Sequence, residues 1–162
     1  MPFIPGDVFD EVFLAPAPIP DTPPTDPLPD LHALKSLTPL HGRLSAIFAS
    51  AFFHLFDEAG QLALAKRLAS LLLPEPGSFI FGLHVGYREK GVRTGTLLAN
   101  QQTLSMFCHS PESWTKMWVN DVFGEGKVKV EATLREVSVE KIGFEGNDLI
   151  TIHFLLWSVT RL

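Results

Sequence analysis

Lys127 to Val137 reads KVKVEATLREV, and Leu149 to Trp157 reads LITIHFLLW; together they decide the fold class. In the first run Val128, Val130, Ala132 and Leu134 fall on one side, and Lys127, Lys129, Glu131, Thr133 and Arg135 on the other. That period of two predicts a half-exposed strand at a sheet edge. The second run is almost wholly apolar and rich in β-branched and aromatic residues, which predicts a strand covered on both faces. Gly143, Gly146 and Asn147 mark a turn between them, so the two runs read as an antiparallel hairpin.

Upstream, the pattern changes from strands alone to strand and helix in alternation. Arg43 to Ser50 (RLSAIFAS) reads as a short buried parallel strand. Asp57 is placed to cap a helix running to Leu73, with Leu64, Leu68, Leu71 and Leu72 on its apolar face and Lys66, Arg67 and Ser70 toward water. Pro74, Pro76 and Gly77 stop that helix, and Ser78 to Leu83 (SFIFGL) follows as the next strand. Strand, helix and strand with short links predict a right-handed βαβ unit. A glycine-interrupted loop carrying Arg88, Lys90 and Arg93 comes next. Ser110 and Pro111 then open a second helix by a side-chain cap and a first-turn proline, and Gly124 ends it. Trp114, Met117, Trp118 and Val122 form its stripe, whose ordinary amphipathic spacing favours core packing over an aromatic ligand box. Ala15 to Pro29 (APAPIPDTPPTDPLP) cannot join a ladder and reads as an extended, mobile spacer.

Composition narrows the function classes. The 162 residues are 46% hydrophobic and 19% charged, enough apolar material for one domain with a real core. A net charge of −5 and no Lys/Arg stripe argue against a nucleic-acid partner. The single cysteine, Cys108, permits no internal disulfide. No apolar run is long enough to span a membrane, and Asp7, Asp10 and Glu11 do not suit a secretory signal; an intracellular, cytoplasmic protein is the expectation. The six histidines (His32, His41, His54, His84, His109, His153) form no metal-ligand motif with one another or with Cys108.

The stretch AFFHLFDEAGQLALAKRLASLLLPEPGSFIFGLHVG, residues 51–86, with MFCHSPESWTKMW, residues 106–118, resembles the C-terminal half of fungal S-adenosylmethionine-dependent class I methyltransferases of the secondary-metabolite, meroterpenoid-pathway type. The opening FIPGDVFD is similar to the segment that ends that family's third strand. The resemblance implies an α/β, Rossmann-like sheet in the order 3-2-1-4-5-7-6. The chain has no G-x-G turn leading into a helix, so the expectation is a partial domain over residues 1–162, with 15–29 inserted, that lacks the first two strands and the N-terminal helices. Strands 4-5-7-6 would then stay contiguous, and Arg43 to Ser50 would present an unpaired apolar edge that invites self-association.

The resemblance also implies a site. Asp7 takes the place of the carboxylate that accepts from the adenine amino group, with Val8 beside the ring; the alternative is a turn aspartate after Gly6. Ala49 and Ser50 stand where the strand's carboxyl end approaches S-adenosylmethionine, and Phe52 packs on the adenine or in the core. His54, His84 and His109 are the candidate bases for a hydroxyl acceptor, each with a structural role as the alternative; His84, directly after the strand ending at Leu83, is the best placed. His153, inside the last strand, reads as a hydrogen-bonded core or edge histidine. The function implied is methyl transfer to a small organic acceptor, impaired without the glycine-rich turn. Two alternatives stay open: a non-catalytic remnant serving as an interaction protein, and a small α+β ligand-binding protein with helices on one sheet face.

Overall fold

A computed structural model describes residues 3–97, 102–140 and 149–162. Its centre is a four-stranded sheet in the order β1-β2-β6-β5. Strand β1 is Ala46–Phe48, helix α1 Glu58–Leu71 and strand β2 Phe79–Val85; β1 and β2 pair in parallel, with α1 as their crossover. A hairpin of β3 (Gly91–Leu97) and β4 (Gln102–Cys108) follows, then helix α2 (Pro111–Lys116), β5 (Val128–Glu140) and β6 (Leu149–Arg161). Strand β6 runs antiparallel to both β2 and β5. This is the 4-5-7-6 order expected above, in a mixed α/β arrangement. Among the described residues, no helix is long and apolar enough to cross a membrane.

The local rules hold where the sequence was explicit. Asp57 accepts the Gly60 N–H at 2.8 Å and caps α1. Ser110 accepts from the Ser113 N–H, the Ser113 hydroxyl accepts in turn from the Ser110 N–H, and Pro111 occupies the first turn of α2. The helix then continues over Met117–Phe123 with wider, π-type turns and ends at Gly124, φ 93°. Trp114, Met117 and Trp118 are buried, so the stripe is core: Trp114, Trp118 and Trp157 surround the Phe53 ring within 4.9 to 6.2 Å.

Several expectations need correction. Residues 3–10 form turns and coil rather than the end of a strand. Strand β1 is three residues long rather than eight, with Ala46 and Phe48 exposed at the sheet edge. The stretch carrying Arg88 to Arg93 is not a loop throughout, since β3 starts at Gly91 and pairs with β4. Ser70 is fully buried rather than facing water, because its hydroxyl bonds the Arg67 carbonyl at 2.7 Å and His41 Nδ1 at 3.1 Å. Over residues 151–161, strand β6 is buried at alternate positions, Leu155, Trp157, Val159 and Arg161. Both helices pack on that face, with Ile80, Leu64, Leu68 and Trp118, while Phe79, Phe81 and Leu83 on the opposite face stay 36–37% exposed and Phe48 65%. The turn at Gly143, Gly146 and Asn147 lies outside the described residues.

The proline-rich segment is tied down rather than free. Prolines donate nothing, but the segment's backbone carbonyls still accept: the Pro20 carbonyl accepts from Arg161 and the Asp26 carbonyl from Arg43, each at 3.0 Å. Ile19 packs against the core.

Candidate functional site

Parallel strands β1 and β2 end side by side, and that end is where open α/β sheets bind ligands. Pairing continues past β1: the Ala49 N–H donates to Phe81 O at 2.9 Å and the Ala51 N–H to Leu83 O at 2.7 Å. Gly82 makes this close approach possible, since a Cβ there would overlap the Ala49 carbonyl. Among the described residues Ala51, φ 50°, is the one non-glycine with positive φ, and it turns the chain from β1 into the short 3₁₀ turn Phe53–Leu55. Against this turn lies the N-terminal segment. Leu14 is fully buried, Arg67 donates to the carbonyls of Leu14 and Phe9, and the Phe9 ring meets Phe56 edge-on at 5.0 Å.

The result is a cleft of about 680 Å³ that Asp7, Val8, Ala49, Ser50 and Phe52 all line. Five residues singled out as cofactor contacts, from two distant stretches of sequence, thus share one concavity. Its remaining walls are largely apolar, including Ile47, Leu44 and Phe56. Asp7 is exposed, and its Oδ1 accepts the Phe9 N–H at 2.8 Å, the turn role named as the alternative. A carboxylate has further lone pairs, so this bond leaves acceptor capacity for a ligand.

The three candidate histidines lie elsewhere. His84 is not in a loop after the strand: β2 runs on to Val85, and His84 faces the core at 1% exposure. Its Nδ1 accepts from Trp157 Nε1 at 3.0 Å, which fixes the proton on Nε2. Nε2 is buried without a partner among the described residues. Burial foremost, then the neighbouring His54 and His109, pushes its pKa down to about 3. His109 is 2% exposed, lies 2.9 Å from the Ser113 hydroxyl through Nδ1, and lines a second cleft of about 640 Å³ with Glu58, Lys90 and Asn120. Burial, helped by Lys90, pushes it down to about 4. His54 is half-buried, lowered by burial, and lines a third cleft of about 480 Å³ between the start of α1 and the β3–β4 hairpin. His54 and His84 stack at 6.5 Å. His153 sits opposite Glu136 at 3.2 Å and against Tyr87 at 4.8 Å, a cross-strand contact. Among the described residues no group of three His, Cys, Asp or Glu side chains is arranged to hold a metal ion.

Sequence reasoning missed Gln61. Fully buried on α1, its side-chain amide donates to Phe56 O at 3.0 Å and Phe107 O at 2.9 Å, joining the helix start to the hairpin. The hairpin itself left a signal: the β-branched residues Val92, Thr94 and Thr96 alternate, and Phe107 lies in the partner run.

No family model matches the chain. It is 35% identical over 101 residues, 62% of its length, to the O-methyltransferase phiE of Fungal sp. (strain ATCC 74256). It is 34% identical over 57% of its length to the methyltransferase adrK of Penicillium roqueforti. With the Asnovolin E/Chermesin D methyltransferase nvfJ of Aspergillus novofumigatus it shares 35% identity over 51%. These matches span 32%, 31% and 28% of the relatives' own lengths, so the chain covers about a third of each. Over that shared portion the chain is similar to several fungal secondary-metabolite methyltransferases.

Proposed function

We propose that this chain carries part of an S-adenosylmethionine-dependent methyltransferase acting on a small organic acceptor, and that the 680 Å³ cleft takes the adenosyl end of the cofactor. The supporting observation is the convergence of Asp7, Val8, Ala49, Ser50 and Phe52 on one cleft at the carboxyl end of β1. The fit is chemical: an apolar cleft with an aromatic wall accepts a purine, and an exposed carboxylate at its rim accepts the exocyclic amino protons. Asp7 and Phe52 would hold the adenine, with Val8 beside the ring, while Ala49 and Ser50 would border the sugar. When bound, the cofactor supplies an electrophilic methyl group on a sulfonium. The chain's task is then orientation of the acceptor, with a neutral histidine available for a proton. His54 and His109 are held neutral by burial, whereas the His84 Nδ1 lone pair is already taken by Trp157.

The test is a titration of the ¹⁵N-labelled chain with S-adenosylhomocysteine. Saturable shifts at Asp7, Ala49, Ser50 and Phe52 support the reading, and shifts confined to other residues refute it. Binding in the millimolar range, about −4 kcal/mol, is expected from adenine-side contacts alone.

A second reading, an interaction subunit that self-associates, is favoured by the exposed row of Phe48, Phe81 and Phe79. Their rings follow one another at 5.0 and 5.3 Å, tilted to each other, on the sheet face opposite the two helices.

A further inference from the structure

Asp7 and Val8 reach the 680 Å³ cleft from a segment that bonds mainly to itself. Residues 7–14 make two successive turns: Asp7 accepts the Phe9 N–H through its side chain and the Asp10 N–H through its carbonyl, and the Asp10 carbonyl accepts from Phe13 and Leu14. The Leu37 and Thr38 N–H groups donate to the Phe13 carbonyl, which secures the end of the second turn only. Among the described residues, the one hydrogen bond from outside the segment to residues 3–12 is that of the Arg67 guanidinium to the Phe9 carbonyl, at 3.4 Å. The same guanidinium donates to the Leu14 carbonyl and lies 5.7 Å over the Phe9 ring. One planar fork thus ties both turns to α1.

Arg67 does not line the cleft, yet it bears on two of its walls. Phe9 meets Phe56 edge-on at 5.0 Å, and Phe56 meets Phe52 edge-on at 5.3 Å, so the ring that Arg67 covers begins a row that ends at the cleft's aromatic wall. In the other direction, the bond from the Phe9 N–H to Asp7 Oδ1 ties the carboxylate at the rim to the same residue. Leu68, the next residue of α1, lines the cleft itself, as does Leu71. One rigid helix therefore sets the spacing of the apolar lining and the rim. Anchoring alone would be served by Leu14, which is fully buried; the contacts with Phe9 add a fixed position for Asp7.

We infer that Arg67 is a positioning residue for the purine: through Phe9 it holds the Asp7 carboxylate and the Phe52 ring at the spacing that admits the base and reads its exocyclic amino group. The inference rests on the cofactor reading of this cleft. Lysine replaces the residue only in part, because an ammonium lacks the planar fork that reaches two carbonyls and covers a ring at once.

The experiment compares adenosine with purine riboside, which lacks only the amino group, in NMR titrations of the ¹⁵N-labelled full chain. The parent chain should shift saturably at Ala49, Ser50 and Phe52 with both nucleosides and prefer adenosine about tenfold, the worth of one hydrogen bond to a charged group. Arg67→Met keeps an apolar stem and removes the donors, so it should cut that preference to about twofold or less. Without ligand, it should also weaken the nuclear Overhauser contacts between the Phe9 and Phe56 rings. Arg67→Lys should fall between the parent and Arg67→Met. A loss of stability leaves the ratio of two affinities on the folded chain unchanged, which separates positioning from plain anchoring. Phe9→Leu keeps both carbonyls and decides the matter if Arg67→Met does not fold; it should cut the preference at least about threefold. Equal affinities for the two nucleosides in the parent chain, or a preference that these variants leave intact, would overturn the inference alone. Adenosine that shifts none of Ala49, Ser50 and Phe52 in the parent chain would overturn the cofactor reading, and the inference with it.

Discussion

Acidification should destabilise this protein through its buried histidines. His84 and His109, 1% and 2% exposed, have pKa values pushed down to about 3 and about 4, chiefly by burial, from the ordinary 6.5. The unfolded chain takes up these protons below about pH 6.5 while the folded chain does not, so stability is intact above that value and falls as pH drops toward the folded values. At about pH 5 each histidine removes about 2 kcal/mol, and the pair about 4 kcal/mol, a large share of the 5–15 kcal/mol typical of a domain. His54, also lowered, adds in the same direction. The exposed Glu112 and Glu136 titrate below their ordinary 4.5, outside this window. Urea unfolding followed by fluorescence suits the problem, because Trp114, Trp118 and Trp157 are all buried. His84→Gln removes one titrating ring and should lower the loss between about pH 6.5 and 5 by roughly half. A stability flat across that range, or a slope that His84→Gln leaves unchanged, would refute the reasoning.

Four further outcomes can be measured. Gly82→Ala forces a Cβ against the Ala49 carbonyl and should cost about 3 kcal/mol in urea unfolding; a loss below about 0.5 kcal/mol would mean β1 shifts freely. Ala51→Gly relieves a left-handed alanine at φ 50° and should stabilise by about 0.5–1 kcal/mol, checked by the urea midpoint. Gln61→Leu leaves the Phe56 and Phe107 carbonyls without this donor and should cost about 1–3 kcal/mol, with faster amide exchange at the helix start and the hairpin. Light scattering should show concentration-dependent oligomers that the Phe48→Lys/Phe81→Lys double variant disperses; a monodisperse parent chain would remove the aromatic face as an interface.

Local chemistry made much of this chain legible from its letters. The alternation of Lys127 to Val137, the Asp57 and Ser110 caps, the stop at Gly124 and the β1-α1-β2 crossover depend on neighbours a few residues away, and all are present. Whether the second face of β6 is covered could not be read from an apolar run, because Leu156 and Phe154 look the same in sequence whether or not a helix lies over them. The placement of the histidines was equally out of reach. Position along the chain put His84 just after a strand, yet two more residues of pairing with β6 turn it into the core against Trp157, while His54, in a tight turn, faces a cleft. The proline segment behaved likewise: its lack of donors was evident, but the two arginines that bond Pro20 and Asp26 come from positions 161 and 43. Residue type and short spacing set caps, periods and turns. Burial, proton affinity and the meeting of Asp7 with Ala49 and Phe52 depend on contacts between distant segments, which only the packed structure brings together.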